Sequence, residues 1–202
     1  AELGEQVTVG ARSANSASLQ PFSEMAGVRT GSFADAASAG ELVINAVNGN
    51  HSLEALDLAG APALSGKTLI DVANMLDASQ GLPPRPTATL DNCLAVKIQA
   101  RFPAAHVVKS LNTMNCNVMV NPSLVEGDHV VFVSGDDDGA KTQTKQLLAG
   151  FGWRDEQIVD LGGIETAASA EMLMPIWLDV MMARGGFGGG AFNWAINSSA
   201  AG

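Results

Sequence analysis

A chain of 202 residues has room for one ordinary domain with a proper core. Hydrophobic residues make up 47% and charged ones only 16%, which excludes a disordered chain. Acidic side chains outnumber basic ones 21 to 11, and the resulting charge of −10 excludes nucleic acid and anionic membrane as general partners.

Val7-Thr8-Val9 opens a series of short apolar runs. Leu42–Val47, Thr68–Val72, Val107–Leu111, Val130–Val133 and Ile158–Leu161 follow, rich in β-branched residues and continuous more than alternating. Such runs predict strands buried on both faces. The piece Leu82-Pro83-Pro84-Arg85-Pro86 predicts a loop after the third run. Leu94, Ile98 and Phe102 then form a helical stripe ahead of Pro103. Ala140, Leu147, Leu148 and Phe151 form another, on a helix that Asp136, Asp137 and Asp138 open with favourable charge. Residues 166–184 read as one long apolar helix kinked at Pro175, with a glycine-rich tail behind it. Strands alternating with helices predict an α/β fold, doubly wound around a mostly parallel sheet. The expected division is a sheet domain over 1–165 and a helical segment with its tail over 166–202. That segment packs on the sheet domain and on a twin subunit, which makes the expected assembly a homodimer.

In an open parallel sheet, ligands bind at the carboxyl ends of the strands. Gly10-Ala11-Arg12-Ser13 ends the first run, and Asn48-Gly49-Asn50-His51 follows the second. Asn74 ends the third and Asn112-Thr113-Met114 the fourth. This edge is small, amide-bearing and nearly uncharged, which suits a dinucleotide better than a hydrolytic substrate. Amides serve ribose and nicotinamide, and Arg12 can pair bidentately with a phosphate. A Rossmann strand that binds NAD ends in a carboxylate for the ribose 2′-hydroxyl. Arg12 stands here instead and favours the 2′-phosphate of NADP, the plain alternative being a solvated arginine at a strand end.

Other features carry less. Gly186-Phe187-Gly188-Gly189-Gly190-Ala191 matches G-x-G-x-x-A but follows a helix, so it cannot aim backbone N–H groups at a pyrophosphate as a strand-to-helix turn does. His51 lies where a helix starts and either touches a ligand or caps its turn. His106 and His129 precede strands and read as structural. Asp71 and Asp160 lie inside runs and read as hydrogen-bonded at the sheet's margin. The consecutive Asp136–Asp138 carboxylates cannot converge on a calcium ion and read as helix caps. Cys93 and Cys116 fit neither a disulfide framework nor a zinc site, and two lone thiols point to a reducing, cytoplasmic compartment. No apolar run reaches the roughly 18 residues of a membrane helix. The absence of tyrosine removes every mechanism that needs a phenolic acid.

Leu3–Arg12, Ile70–Asn74, Val107–Thr113, Val133–Asp137 and Glu171–Leu178, in this order and spacing, resemble the NADPH-dependent reductases of the deazaflavin coenzyme F-420. Those proteins open with a strand, G-x-G-x-x-G and a helix whose end resembles Ala1-Glu2-Leu3-Gly4. The resemblance implies that roughly 25 residues, the front half of a βαβ unit, precede this point, a Rossmann-like fold here lacking its first strand. That strand is central in the order 3-2-1-4-5-6, so two strand edges are expected to lie unpaired and NADP to bind weakly. The family corner Gly-Ser-Arg reads Gly10-Ala11-Arg12 here, keeping the arginine and losing a hydroxyl.

The resemblance implies hydride transfer between the nicotinamide and a deazaflavin or similar flat acceptor, a step that needs no protein acid or base. Gly10, Ala11, Arg12 and Ser13 are then expected at the 2′-phosphate. Ala46, Val47, Asn48 and His51 are expected against the cofactor, Asn74 by the nicotinamide ribose, and Asn112, Thr113 and Met114 on the acceptor side. No catalytic side chain and no metal are expected. Two rivals stand beside this reading: an NADP-dependent reductase of a small imine or carbonyl, with His51 as proton donor, and a non-catalytic dinucleotide-binding module.

Overall fold

Ser32, Asn115 and Asp137 each open an α-helix by accepting a free backbone N–H, and the buried strands form where apolar runs end in turn residues. The computed structural model describes residue 1 and residues 3–197, so Glu2, the last residues of the expected C-terminal segment and the Phe187 side chain lie outside the described part. In chain order the elements are β1 (Val7–Ala11), a short α1 (Gln20–Ser23), β2 (Val28–Ser32), α2 (Phe33–Ala39), β3 (Leu42–Asn45), α3 (Ser52–Ala59) and α4 (Ala61–Leu64). Next come β4 (Thr68–Asp71), β5 (Leu76–Asp77), β6 (Arg85–Pro86), α5 (Leu94–Arg101), β7 (His106–Ser110) and α6 (Cys116–Val120). The chain continues with β8 (Val131–Ser134), α7 (Asp138–Gly150), β9 (Ile158–Gly162), α8 (Ala167–Glu171) and α9 (Met174–Ala183).

The strands form a five-stranded sheet in the order β3-β4-β7-β8-β9 and a separate parallel pair, β1-β2. All neighbours in the larger sheet run parallel except β7 and β8. Helices cover both faces, as the doubly wound reading expects. Leu69 and Val107 point into a core with Leu94, Ile98, Phe102, Ala167 and Ala168. Val108, Val131 and Val133 point the other way, onto Val118, Leu148 and Trp153. Among the described residues β1 pairs only with β2 and β3 only with β4, which gives the two unpaired edges. The β1-β2 pair is joined to the larger body through α2, which packs its Ala36 against Gly10 and lends its Ala37 to the first core.

Several expectations need correction. β2 was not foreseen from the apolar runs: Val28-Arg29-Thr30-Gly31-Ser32 is an edge strand with only Gly31 buried. β4 is buried throughout, whereas β1 and β3 are largely half-buried, since each has a strand neighbour on one side alone. The proline-rich piece is not purely a loop, because Arg85 and Pro86 pair antiparallel with Asp77 and Leu76. Residues 166–184 are two helices, and Pro175 sits in the first turn of α9, where its missing N–H costs nothing. Asp71 is not marginal: it ends β4, the second strand of the larger sheet, and is fully buried.

The tail turns at Gly186–Gly188 after α9, as expected of a match that follows a helix. It then fastens to β8's approach, where Val130 N–H donates to the Trp194 carbonyl (2.8 Å) and Phe192 stacks on Trp177.

Candidate functional site

Three strand ends are laced into one platform by amides. After β3, Asn48 caps the turn that opens α3, and Ser52 starts that helix. Gly49 N–H donates to the Asn74 carbonyl (3.1 Å), and a side chain at Gly49 would collide with that carbonyl, so only glycine lets the two loops meet. Asn50 Nδ2 donates to the Leu76 carbonyl (2.7 Å). Asn74 and Asn112 exchange two bonds: Asn74 Nδ2 to the Asn112 carbonyl at 2.8 Å, and Asn112 Nδ2 to Asn74 Oδ1 at 3.0 Å. Asn112 Nδ2 also donates to the Ala170 carbonyl (3.2 Å), tying α8 beneath the platform. Just before it, Leu111 adopts φ 63°, a left-handed conformation that a branched side chain rarely accepts and that the surrounding bonds must hold.

Under the platform lies a charged group that the sequence reading missed. Lys109 of β7 is buried with Asp71 of β4 and Glu171 of α8, its Nζ 2.8 Å from Asp71 Oδ2 and 3.1 Å from Glu171 Oε1. It donates to the Ala73 carbonyl as well. Asp71 Oδ1 accepts from Asn45 Nδ2 (2.8 Å), which also reaches Ser52 Oγ (2.9 Å) at the start of α3. Glu171 accepts the Leu94 and Ala95 N–H groups (2.9 and 3.1 Å) and so caps α5 from outside its own chain segment. Burial works against the Lys109 charge, but the two carboxylates outweigh it and hold the ammonium above its ordinary value. Burial also pushes the Asp71 carboxyl up, against the pull of Lys109. Cys93 donates to Glu171 Oε1 (3.3 Å), and burial raises its thiol to about 11, so it is a packed group and not a nucleophile.

The other expected residues divide into a corner and a floor. Arg12 and Ser13 are exposed beyond β1, while Ala11 is buried and Gly10 meets α2. Arg12 Nη2 lies 3.3 Å from Glu54 Oε1, and His51 Nδ1 lies 3.8 Å from the other oxygen, so Arg12 and His51 share one carboxylate. Ala46 and Asn48 are exposed and Val47 is half-buried, at the mouth of the platform. Asn112, Thr113 and Met114 are buried, and Met114 packs with Leu111 and Val118, so these three support the platform from below.

His129 is structural, bonded to the Pro122 carbonyl and to Asn193. His106 is paired with Asp137 (3.4 Å) at the amino end of β7, beside a groove of about 490 Å³ that lies away from the platform. Asp137 caps α7 as expected, whereas Asp136 accepts the distant Ile164 N–H (2.8 Å) and does not cap that helix. Among the described residues no group of three His, Cys, Asp or Glu could hold a metal ion, and no helix is long and apolar enough to cross a membrane.

The donor set fits an NADP cofactor at two places. The guanidinium at the carboxyl end of β1 has most of its fork free of side-chain partners among the described residues, exposed amides stand at the end of β3, and the half-buried Asn74 stands at the end of β4. The model of the family NADP oxidoreductase, coenzyme F420-dependent, matches residues 1–75. A solved protein of Arthrobacter sp. FB24, provisionally described as an F420-dependent NADP-reductase, is 43% identical over 98% of this chain and 90% of its own, with a TM-score of 0.89. A Streptomyces aurantiacus imine reductase (17% identity, 91% of this chain and 57% of its own, TM-score 0.60) shares the fold. So does an Aspergillus terreus reductive aminase solved with NADPH4, cyclohexanone and allyl amine (18%, 90% and 55%, TM-score 0.59). No curated protein matched. The chain belongs to the coenzyme F420-dependent NADP oxidoreductase family and is an NADP-dependent oxidoreductase.

Proposed function

We propose that the chain passes a hydride between NADP(H) and a flat acceptor of the deazaflavin class, coenzyme F-420 or a close relative. The observation that carries this reading is the pairing of one phosphate-competent arginine, Arg12, with a platform whose accessible groups are amides. NADP, when bound, supplies the hydride-carrying nicotinamide. The residues of the chain bind and orient. Arg12 and Ser13 hold the 2′-phosphate, and Ala46, Val47 and Asn48 lie along the cofactor. Asn74 faces the nicotinamide ribose, its amide fixed by the exchange with Asn112. The charge-poor platform keeps a stacked acceptor dry at a set distance, which is what direct hydride transfer asks of a protein. The segment 166–202 closes the acceptor side or meets a twin subunit in a homodimer, and the compartment is cytoplasmic.

The first test is cofactor choice. Arg12→Gln is expected to weaken NADPH about tenfold or more and leave NADH within about twofold, since a bidentate charge-assisted contact is lost only for the phosphate. Ligand-observed NMR reads this even when affinity is low, and the open edges of β1 and β3 support low affinity. Tight NADPH binding by the 202-residue chain would remove that last expectation. The second test follows NADPH oxidation with F-420, FMN and pyrroline-carboxylate in parallel. Oxidation with the small imine alone would overturn the deazaflavin reading in favour of an imine reductase, for which His51 is the exposed proton donor.

A further inference from the structure

We propose that Glu54 is a specificity-determining residue that weakens the preference for a 2′-phosphate, by occupying Arg12 and by setting a carboxylate beside the place the phosphate would take. This rests on the reading of Arg12 as the 2′-phosphate ligand. Glu54 lies in the first turn of α3, on the opposite side of the unpaired edges from β1, so its contact with Arg12 crosses between the two sheets. The helix N-terminus attracts a negative charge at this place. The pair is a single contact at 3.3 Å between side chains 70% and 57% exposed, easily opened and therefore a competitor more than a lock. His51 approaches the second oxygen, whereas the next carboxylate on α3, Asp57, is taken by Arg101 at 3.0 Å.

A ligand with a 2′-phosphate must displace Glu54 from the guanidinium and then sit beside the displaced charge. A ligand with a free 2′-hydroxyl does neither. Neutralising Glu54 should therefore tighten the first class alone. Exposed charges at this spacing alter an equilibrium by a few-fold, and a dianion feels more than a single charge, so the expected gain is about three- to tenfold and shrinks as salt screens it.

The experiment titrates the whole chain with adenosine 2′,5′-bisphosphate and with 5′-AMP by ligand-observed NMR, for wild type, Glu54→Gln and Arg12→Gln, with melting curves to confirm that each is folded. The proposal expects Glu54→Gln to bind the bisphosphate at least threefold more tightly with 5′-AMP unchanged within twofold, and Arg12→Gln to abolish the difference between the ligands. If Arg12→Gln removes the discrimination and Glu54→Gln leaves the bisphosphate unaffected or alters only 5′-AMP, the role of Glu54 is overturned and that of Arg12 stands. If Arg12→Gln leaves discrimination intact, or neither ligand binds any variant, the underlying reading of the corner falls and the proposal falls with it.

Discussion

Lys109 shows how a single side chain can organise a site it does not enter. Its ammonium joins β7 to β4 through Asp71 and to α8 through Glu171, while Asn45 and Ser52 extend the network to the start of α3. The platform amides sit directly above, so their positions depend on charges out of reach of solvent. Removing the ammonium would leave two buried carboxylates facing each other. Lys109→Met is accordingly expected to cost about 3–5 kcal/mol in urea unfolding, and Lys109→Met with Asp71→Asn to recover part of that loss. The pH dependence has a definite sign. The folded-state pKa of Lys109 lies above its unfolded value of 10.5, so its contribution is complete below pH 10.5 and is lost as pH rises through the folded value. The Lys109 contribution should therefore narrow the stability gap between wild type and Lys109→Met in alkali, and protonation of the buried Asp71 carboxyl, left without its ammonium in the variant, should narrow it in acid. No tyrosine titrates in that window. A gap that stays constant to the alkaline limit would show that the lysine charge does not hold the network. None of this was legible in the sequence. Lys109 reads there as an interruption of an apolar run, and its partners lie 38 and 62 positions away (109 − 71 and 171 − 109).

The elements that were legible carry their signal locally. The five runs from 42 onward became β3, β4, β7, β8 and β9, their short, continuous β-branched composition being the kind that fits a pleated, buried surface. Within the acidic trio the cap Asp137 was legible for the same reason, while the bond of Asp136 to Ile164 is tertiary and was not. Asp137 Oδ1 accepts the Ala140 N–H at 2.7 Å, three residues on, and no tertiary contact is required to foresee it. Asp137→Ala should cost about 1 kcal/mol, seen as a fall of about 2–4 °C in melting temperature for a chain of this size. Asp137→Asn keeps an acceptor at the cap and loses only the exposed pairing with His106, so it should stay near wild type. Equal losses in the two variants would move the effect from the cap to the ion pair. β2 escaped because an edge strand with exposed Arg29 and Thr30 has no apolar periodicity to read. The break between α8 and α9 escaped because apolar spacing continues across it, and only the backbone shows that Pro175 starts a helix. Of the expected site, the corner at Arg12 and the amides at 48, 74 and 112 could be read from their place after strand runs. Their mutual bonds, and the carboxylate that Glu54 brings to Arg12, could not, since they arise from loops that meet only in the fold.

At the scale of the whole molecule, the division of the strands into two groups matters most. The larger sheet has a core on each face and its buried charge network between β4 and β7. The β1-β2 pair has one strand partner per strand among the described residues and depends on α2, the Lys67 Nζ bond to the Ala37 carbonyl (2.7 Å) and the exposed Arg12–Glu54 contact. Local stability follows buried contacts, so the two groups should open with different free energies. In hydrogen exchange, amides of β4, β7 and β8 should be the slowest, with those of β1 and β2 exchanging through a cheaper opening of the pair alone. NADPH should slow exchange in β1 and at the start of α3 more than in β8, because a ligand that bridges Arg12 and the end of β3 joins the two groups. Uniform exchange across both groups would mean that α2 alone couples the pair to the larger sheet. Protection confined to β7 and β8 on adding NADPH would place the cofactor away from Arg12. With NADP at the proposed corner, the exposed Arg12–Glu54 contact would span the same boundary that the cofactor would cross.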